Sequence, residues 1–153
     1  MYRDSLAAGI DKLGRLATTI GELRRVPRLT AVKAQTWIAE QLLIEYREGQ
    51  DPYGRPWAPL RPATLAIHGP PPLTRSGMLR VDTAVRLLEG ARNGLMLEAG
   101  RDYAYFHQVG FRHRGGKDVP ARKIFPDRGM PRRWREILER AAKEAIAEIR
   151  GHK

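Results

Sequence analysis

Seven of the eleven prolines in this 153-residue sequence fall between residues 49 and 80: Pro52, Pro56, Pro59, Pro62, Pro70, Pro71 and Pro72. Proline has no amide proton and clashes with the preceding helical turn, so this density excludes both a continuous helix and a central strand. The stretch is therefore a long irregular connection. A loop of about 30 residues is uncommon inside a compact domain and usually functional where it occurs. Asp51-Pro52-Tyr53-Gly54 has the chemistry of a turn, with proline presetting φ and glycine accepting a positive φ. Pro62-Ala63-Thr64-Leu65 suits the opening of a short helical turn. Trp57 and Leu60 are apolar anchors that can hold the loop to a core.

The flanking segments are more regular. Leu6, Ile10, Leu13, Ala17, Ile20 and Leu23 recur at helical spacing and predict an amphipathic helix over 4–24. Asp4 or Ser5 caps it, and Pro27 is expected to end it. Gly9, Gly14 and Gly21 each weaken it by about 1 kcal/mol relative to alanine, so it needs docking or a partner. Thr30 is expected to cap a second helix running to Glu48. Ala34, Ile38, Leu42 and Tyr46 form its stripe, Trp37 and Leu43 widen it, and Gly49 stands at the stop. Alternation over 81–89 and 94–100, with Asn93-Gly94 between the runs, predicts a β-hairpin. Residues 103–109 fit either a short helix or a strand, 110–117 a mobile loop, and 121–125 a short strand. Pro131 opens a last helix carrying Trp134, Ile137, Leu138, Ala141, Ala145 and Ile149.

This length suits one domain, spanning 1–153. The expected fold class is α+β. A helical part (1–48) leads to the extended proline-rich loop (49–80). A small, mainly antiparallel sheet with a basic loop follows (81–125), and a C-terminal helix (131–150) packs on it. No apolar run is long enough to span a membrane, and the N-terminus does not lead into the apolar core of a secretory signal. With no cysteine, a disulfide scaffold, a thiolate metal site and a cysteine nucleophile are excluded.

The formal net charge is +11, from 28 basic and 17 acidic residues. It is unevenly spread. Residues 101–135 hold ten basic and three acidic side chains, whereas 136–153 hold four of each. Arg112, Arg114, Lys117, Arg122, Lys123, Arg132 and Arg133 are therefore candidates for contact with DNA or an acidic partner. Charge alone supports nonspecific contact, and no helix-turn-helix, RNA-recognition or zinc-finger pattern accompanies it. A small nucleic-acid-binding protein is the alternative reading.

The search for chemistry returns little. His107 and His113 are six apart, a spacing that suits neither one helix face nor a common metal motif. Ser5 and Ser76 lie in no nucleophile elbow, and the glycine-rich phosphate loop is missing. Asp102, Asp118 and Asp127 sit among arginines, where ion pairing accounts for them. No catalytic, cofactor-binding or metal residue is assigned, and the expectation is a protein that is not an enzyme.

Three stretches carry a resemblance. The first is Glu48-Gly49-Gln50-Asp51-Pro52-Tyr53-Gly54-Arg55-Pro56-Trp57-Ala58-Pro59-Leu60, continuing to Pro62-Ala63-Thr64-Leu65. The second is Leu73-Thr74-Arg75-Ser76-Gly77-Met78-Leu79. The third is His107-Gln108-Val109-Gly110-Phe111 followed by Val119-Pro120-Ala121-Arg122-Lys123-Ile124-Phe125. Together, in this order, they resemble the phage virion morphogenesis family, which includes tail-completion and head–tail joining proteins of Mu-like and related tailed phages. The resemblance implies a structural virion protein at the neck. It would form a homo-oligomeric ring, hexameric or twelvefold, between head connector and tail tube, after assembly in the bacterial cytoplasm. Its partners would be the neighbouring head-connector, neck and tail proteins, with nonspecific contact to passing DNA and none to a membrane. A ring subunit needs two unlike patches that meet head to tail. Asp51, Pro52, Trp57, Leu60, Leu73 and Leu79 are the subunit-interface candidates.

Overall fold

The computed structural model describes residues 2–73, 77–88, 93–112 and 114–151, with residues 2–10 and 68 given by their backbone alone. The chain begins with α1 (Tyr2–Leu23) and α2 (Val26–Glu48), two parts of one bent helical rod. Then come α3 (Pro62–His68), α4 (Met78–Val81), β1 (Thr83–Leu87), β2 (Leu95–Ala99), α5 (Ala104–Val109), β3 (Phe111–Arg112), β4 (Asp118–Val119) and α6 (Arg132–Gly151).

The rod departs from expectation at its bend. The break falls at Arg24-Arg25, where the Arg25 amide bonds to Glu22 O at 3.0 Å, a three-residue step. Pro27 does not end α1. It lies in the first turn of α2, where a missing amide proton costs no helical bond. Thr30 therefore lies inside α2 and caps nothing. At the other end Gly49 adopts φ 66° and closes the helix, as the sequence predicts.

α2 is the spine. Its Ala34, Ile38 and Leu42 meet Val85 of β1 and Trp134 and Ala141 of α6 in the first core. α6 runs antiparallel to α2: Lys33 pairs with Glu148 at one end, and Trp134 Nε1 donates to Glu45 at the other. β1 and β2 pair antiparallel with Val85 opposite Leu97 and Leu87 opposite Leu95. Leu95 and Leu97 pack against the same core, so the C-terminal helix and the hairpin share it. The Gln35 side chain donates to Val85 O at 2.8 Å, tying α2 to the strand backbone. The hairpin's turn residues Gly90-Ala91-Arg92 lie outside the described residues.

The layout is α+β, with two qualifications in detail. The strands form two separate two-stranded ladders. Residues 121–125 make no strand; instead Phe111 pairs with Val119 and Arg112 with Asp118, so the expected mobile loop is pinned at both ends. Gly110 explains the close approach. At φ 75°, a Cβ there would lie 2.9 Å from both Ala121 N and Val119 O, so only glycine lets these backbones meet. The ambiguous 103–109 segment is helical.

Candidate functional site

The turn after α2 is built on Asp51. Its Oδ1 accepts the amides of Tyr53 (2.9 Å) and Arg55 (2.8 Å), and its own amide donates to Arg55 O. Gly54, at φ 81°, completes the reversal. The chain then returns so that the Trp57 amide donates to Gly49 O at 2.8 Å. Trp57 is buried edge-on against Tyr46, with ring centroids 5.6 Å apart, and its Nε1 donates to Lys123 O at 2.9 Å. Tyr46 in turn shares a 2.9 Å bond with Thr83 Oγ1, and burial pushes its phenol up to about 12.

The third motif closes on the first. Arg122 Nε donates to Ala58 O at 2.9 Å and Nη2 to Pro59 O at 3.2 Å. Gln108 Oε1 accepts the amides of Ile124 (2.9 Å) and Phe125 (3.0 Å), while its Nε2 donates to Phe125 O. Tyr53 Oη accepts the amides of Asp127 and Arg128 and donates to Arg128 O at 2.6 Å. Residues 48–60, 107–110 and 119–125, with Leu79 of the second motif, thus converge on one buried cluster of Tyr46, Trp57, Leu79, Ala104 and Ile124. Thr74-Arg75-Ser76 of that motif lie outside the described residues.

This geometry reassigns several candidates. Asp51, Pro52, Trp57 and Leu79 are buried within their own chain. They build the protomer and offer no side chain to a neighbour. Leu60 and Leu73 are half-buried, with Leu73 packed on the second core. Arg122 is only 6% exposed and faces two carbonyls, so it clamps the proline loop and contributes nothing to an outer basic patch. Burial lowers its pKa from the ordinary value. Lys123 pairs with Asp127, whose carboxyl is held below its usual range by that bond; Arg132 pairs with Glu136 at 2.8 Å, and Arg133 with Glu48 at 3.8 Å. Within 101–135, two exposed basic sites remain without an ion pair among the described residues: Arg135 on α6, and the end of the β3–β4 hairpin. Arg114 and Lys117 are exposed and make no ion pair among the described residues. Arg112 meets Asp118 only at 3.9 Å, with both side chains more than three-quarters exposed, a geometry that contributes almost nothing.

Two apolar surfaces remain exposed; the sequence reading missed the first and expected the second to need docking or a partner. α5 presents Tyr105 (67% exposed), Phe106 and Val109 outward, and Phe106 contacts Phe111 edge-on at 5.6 Å, joining this aromatic face to the basic hairpin. The signal was the undecided 103–109 segment: only as a helix does it bring Phe106 and Val109, three residues apart, to one side. The second is α1. Leu13, Leu16, Ile20 and Leu23 are all about half or more exposed along one face.

Among the described residues no three His, Asp or Glu side chains come together as a metal site. His107 is half-buried with Nδ1 unpartnered among them, and burial together with nearby Arg122 lowers its pKa. His113 and His152 lie outside the described residues. No protein-family model matches the chain, and no curated protein or solved structure matches it.

Proposed function

We propose that this chain is a structural virion protein of a tailed bacteriophage. It is a head–tail joining (neck) or tail-completion subunit, working as a homo-oligomeric ring between head connector and tail tube. The observation that carries the reading is the closure of the motif stretches on one another: Trp57 on Lys123 and Arg122 on Ala58 and Pro59 join the first to the third, and Leu79 of the second is buried with Trp57 and Ile124 in one cluster. The quoted motif residues act together as one scaffold, which supports reading them as one pattern. Their work is architectural, as a ring subunit requires. The exposed apolar face of α1, the aromatic face of α5 and the basic hairpin are the surfaces left for partners. Among the described residues no helix is long and apolar enough to cross a membrane, in keeping with a virion protein assembled in the bacterial cytoplasm.

Native mass measurement on the purified protein tests the ring: six or twelve copies of the 17.3 kDa chain are expected. A monomer at every concentration, together with normal particles formed without the protein, would overturn the proposal. Electron microscopy of particles lacking it separates the two roles. Full heads beside complete, unattached tails indicate joining, and tails of uncontrolled length indicate completion.

The uncompensated cations Arg112, Arg114 and Lys117 favour one second reading, a small nucleic-acid-binding protein. Salt-dependent DNA binding by the isolated monomer, without ring formation, is its distinguishing result.

A further inference from the structure

Three aromatic rings stand in a row where α5 meets β3. Tyr105 is edge-on to Phe106 with ring centroids 5.9 Å apart, and Phe106 is edge-on to Phe111 at 5.6 Å. Tyr105 is 67% exposed and Phe106 49%, and neither belongs to the two buried clusters. The row ends among cations. Arg112 follows Phe111 directly, and the exposed Arg114 and Lys117 stand at the end of the hairpin. Extended backbone covers at most about 3.6 Å per residue, so the Arg114 backbone lies within about 11 Å of that of Phe111. Arg61, just before α3, reaches the same hairpin and donates to Asp118 O at 3.4 Å. Asp118 is the one acid of residues 110–119, and it meets Arg112 only at 3.9 Å. The hairpin is therefore net positive, on a chain of net charge +11.

We propose that the Tyr105–Phe106–Phe111 row and the hairpin cations form one binding surface for single-stranded nucleic acid. Phosphates meet Arg112, Arg114 and Lys117, and an unpaired base stacks on Tyr105, the most exposed ring. The charge selects a polyanion, and the rings select the single strand. A duplex buries its base faces against one another, so it would use the cations and leave the rings idle. An acidic protein surface would match the charge alone. A single strand offers spaced phosphates and free base faces together. Stacking of this kind tolerates sequence, because every base has a π-face. The proposal rests on the second reading above, that of a nucleic-acid-binding protein, and it holds for a monomer and a ring alike.

Fluorescence anisotropy of the full-length protein tests it, with labelled oligo-dT, oligo-rU and a duplex of the same length as probes. At about 0.1 M salt, oligo-dT or oligo-rU is expected to bind at least tenfold more tightly than the duplex. The preferred one of the two tells DNA from RNA, and either preference supports the surface. Tyr105→Ala should weaken single-strand binding by about 5- to 150-fold, the range for loss of one stacked base, and leave its salt dependence unchanged. Tyr105→Phe should restore it. Arg114→Gln with Lys117→Gln should instead reduce the slope of log affinity against log salt by about 1.4, at roughly 0.7 per phosphate on a single strand. Because Tyr105 lies outside the buried clusters, Tyr105→Ala should melt with the parent chain. A duplex bound as tightly as the single strand, or Tyr105→Ala without effect on binding, overturns the stacking surface and leaves the nucleic-acid reading standing. No binding of any of the three probes overturns both.

Discussion

Glu45 is the one acidic side chain of α2 that the fold buries against α6. Its Oε1 accepts Gln41 Nε2 at 3.0 Å and Trp134 Nε1 at 2.9 Å, and its Oε2 is buried without a partner among the described residues. Burial raises its pKa above the ordinary 4.5, against the opposing effect of those two bonds and of Arg133. The sign follows from linkage. The folded state holds this proton more tightly than the unfolded state, so the contribution to stability is full below 4.5 and is lost as pH rises through the raised value. Glu45→Gln keeps an acceptor and cannot ionise. It should flatten that part of the stability profile, seen as urea midpoints that no longer fall with rising pH. Glu45→Ala strands the buried Trp134 N–H and should cost about 1–3 kcal/mol for that group alone. Trp57 decides a different question. As an interface residue its loss would spare the protomer, but buried against Tyr46 and bonded to Lys123 O it should not. Trp57→Ala is expected to destabilise the isolated chain by about 3–5 kcal/mol in chemical denaturation. Gly110→Ala forces both a left-handed residue and a Cβ into the Val119–Ala121 backbone. A loss of about 1–3 kcal/mol follows from the backbone conformation alone.

α1 and α2 show how far helical periodicity reaches. Both were legible as helices, because three- and four-residue spacing of apolar side chains puts them on one face wherever the chain is helical. What covers that face was not legible. α2 lies between the hairpin and α6, whereas the α1 stripe stays open, although the two patterns look alike in sequence. Removing residues 1–23 should therefore leave the remaining fold with a melting temperature within a few degrees of the full chain, by about the 2–4 °C per kcal/mol that applies to chains of about this size. A drop of 15 °C or more would show that α1 supports the body. The β1–β2 hairpin was readable from alternation, while the β3–β4 ladder was not. Two residues per strand carry no period, and the ladder exists because Gly110 lets two backbones touch.

The net charge of +11 looks different once the chain is folded. Of the basic side chains between 101 and 135, one is buried on carbonyls and several pair with acids; the exposed cations with no ion pair among the described residues are Arg114 and Lys117 at the hairpin beside Phe106, and Arg135 on α6. If that hairpin meets duplex DNA, replacing Arg112, Arg114 and Lys117 by glutamine should reduce the slope of log affinity against log salt by about 2.7, at roughly 0.9 per phosphate contact. The same replacement at Arg122 should instead unfold the proline loop, read as faster proteolysis between 49 and 80. By itself the sequence determined the three long helices, the glycine stop at Gly49, the first hairpin and the α+β class, each of which is written in spacing or in the conformational limits of single residues. It did not determine α4, whose Val81 it read as strand, nor α5. Only the tertiary structure decided that Leu79 is core, that Trp57 is an anchor and not an interface residue, that Arg122 is a clamp and that the α1 stripe is uncovered. Burial and pairing depend on which distant segments meet, and no local pattern records that.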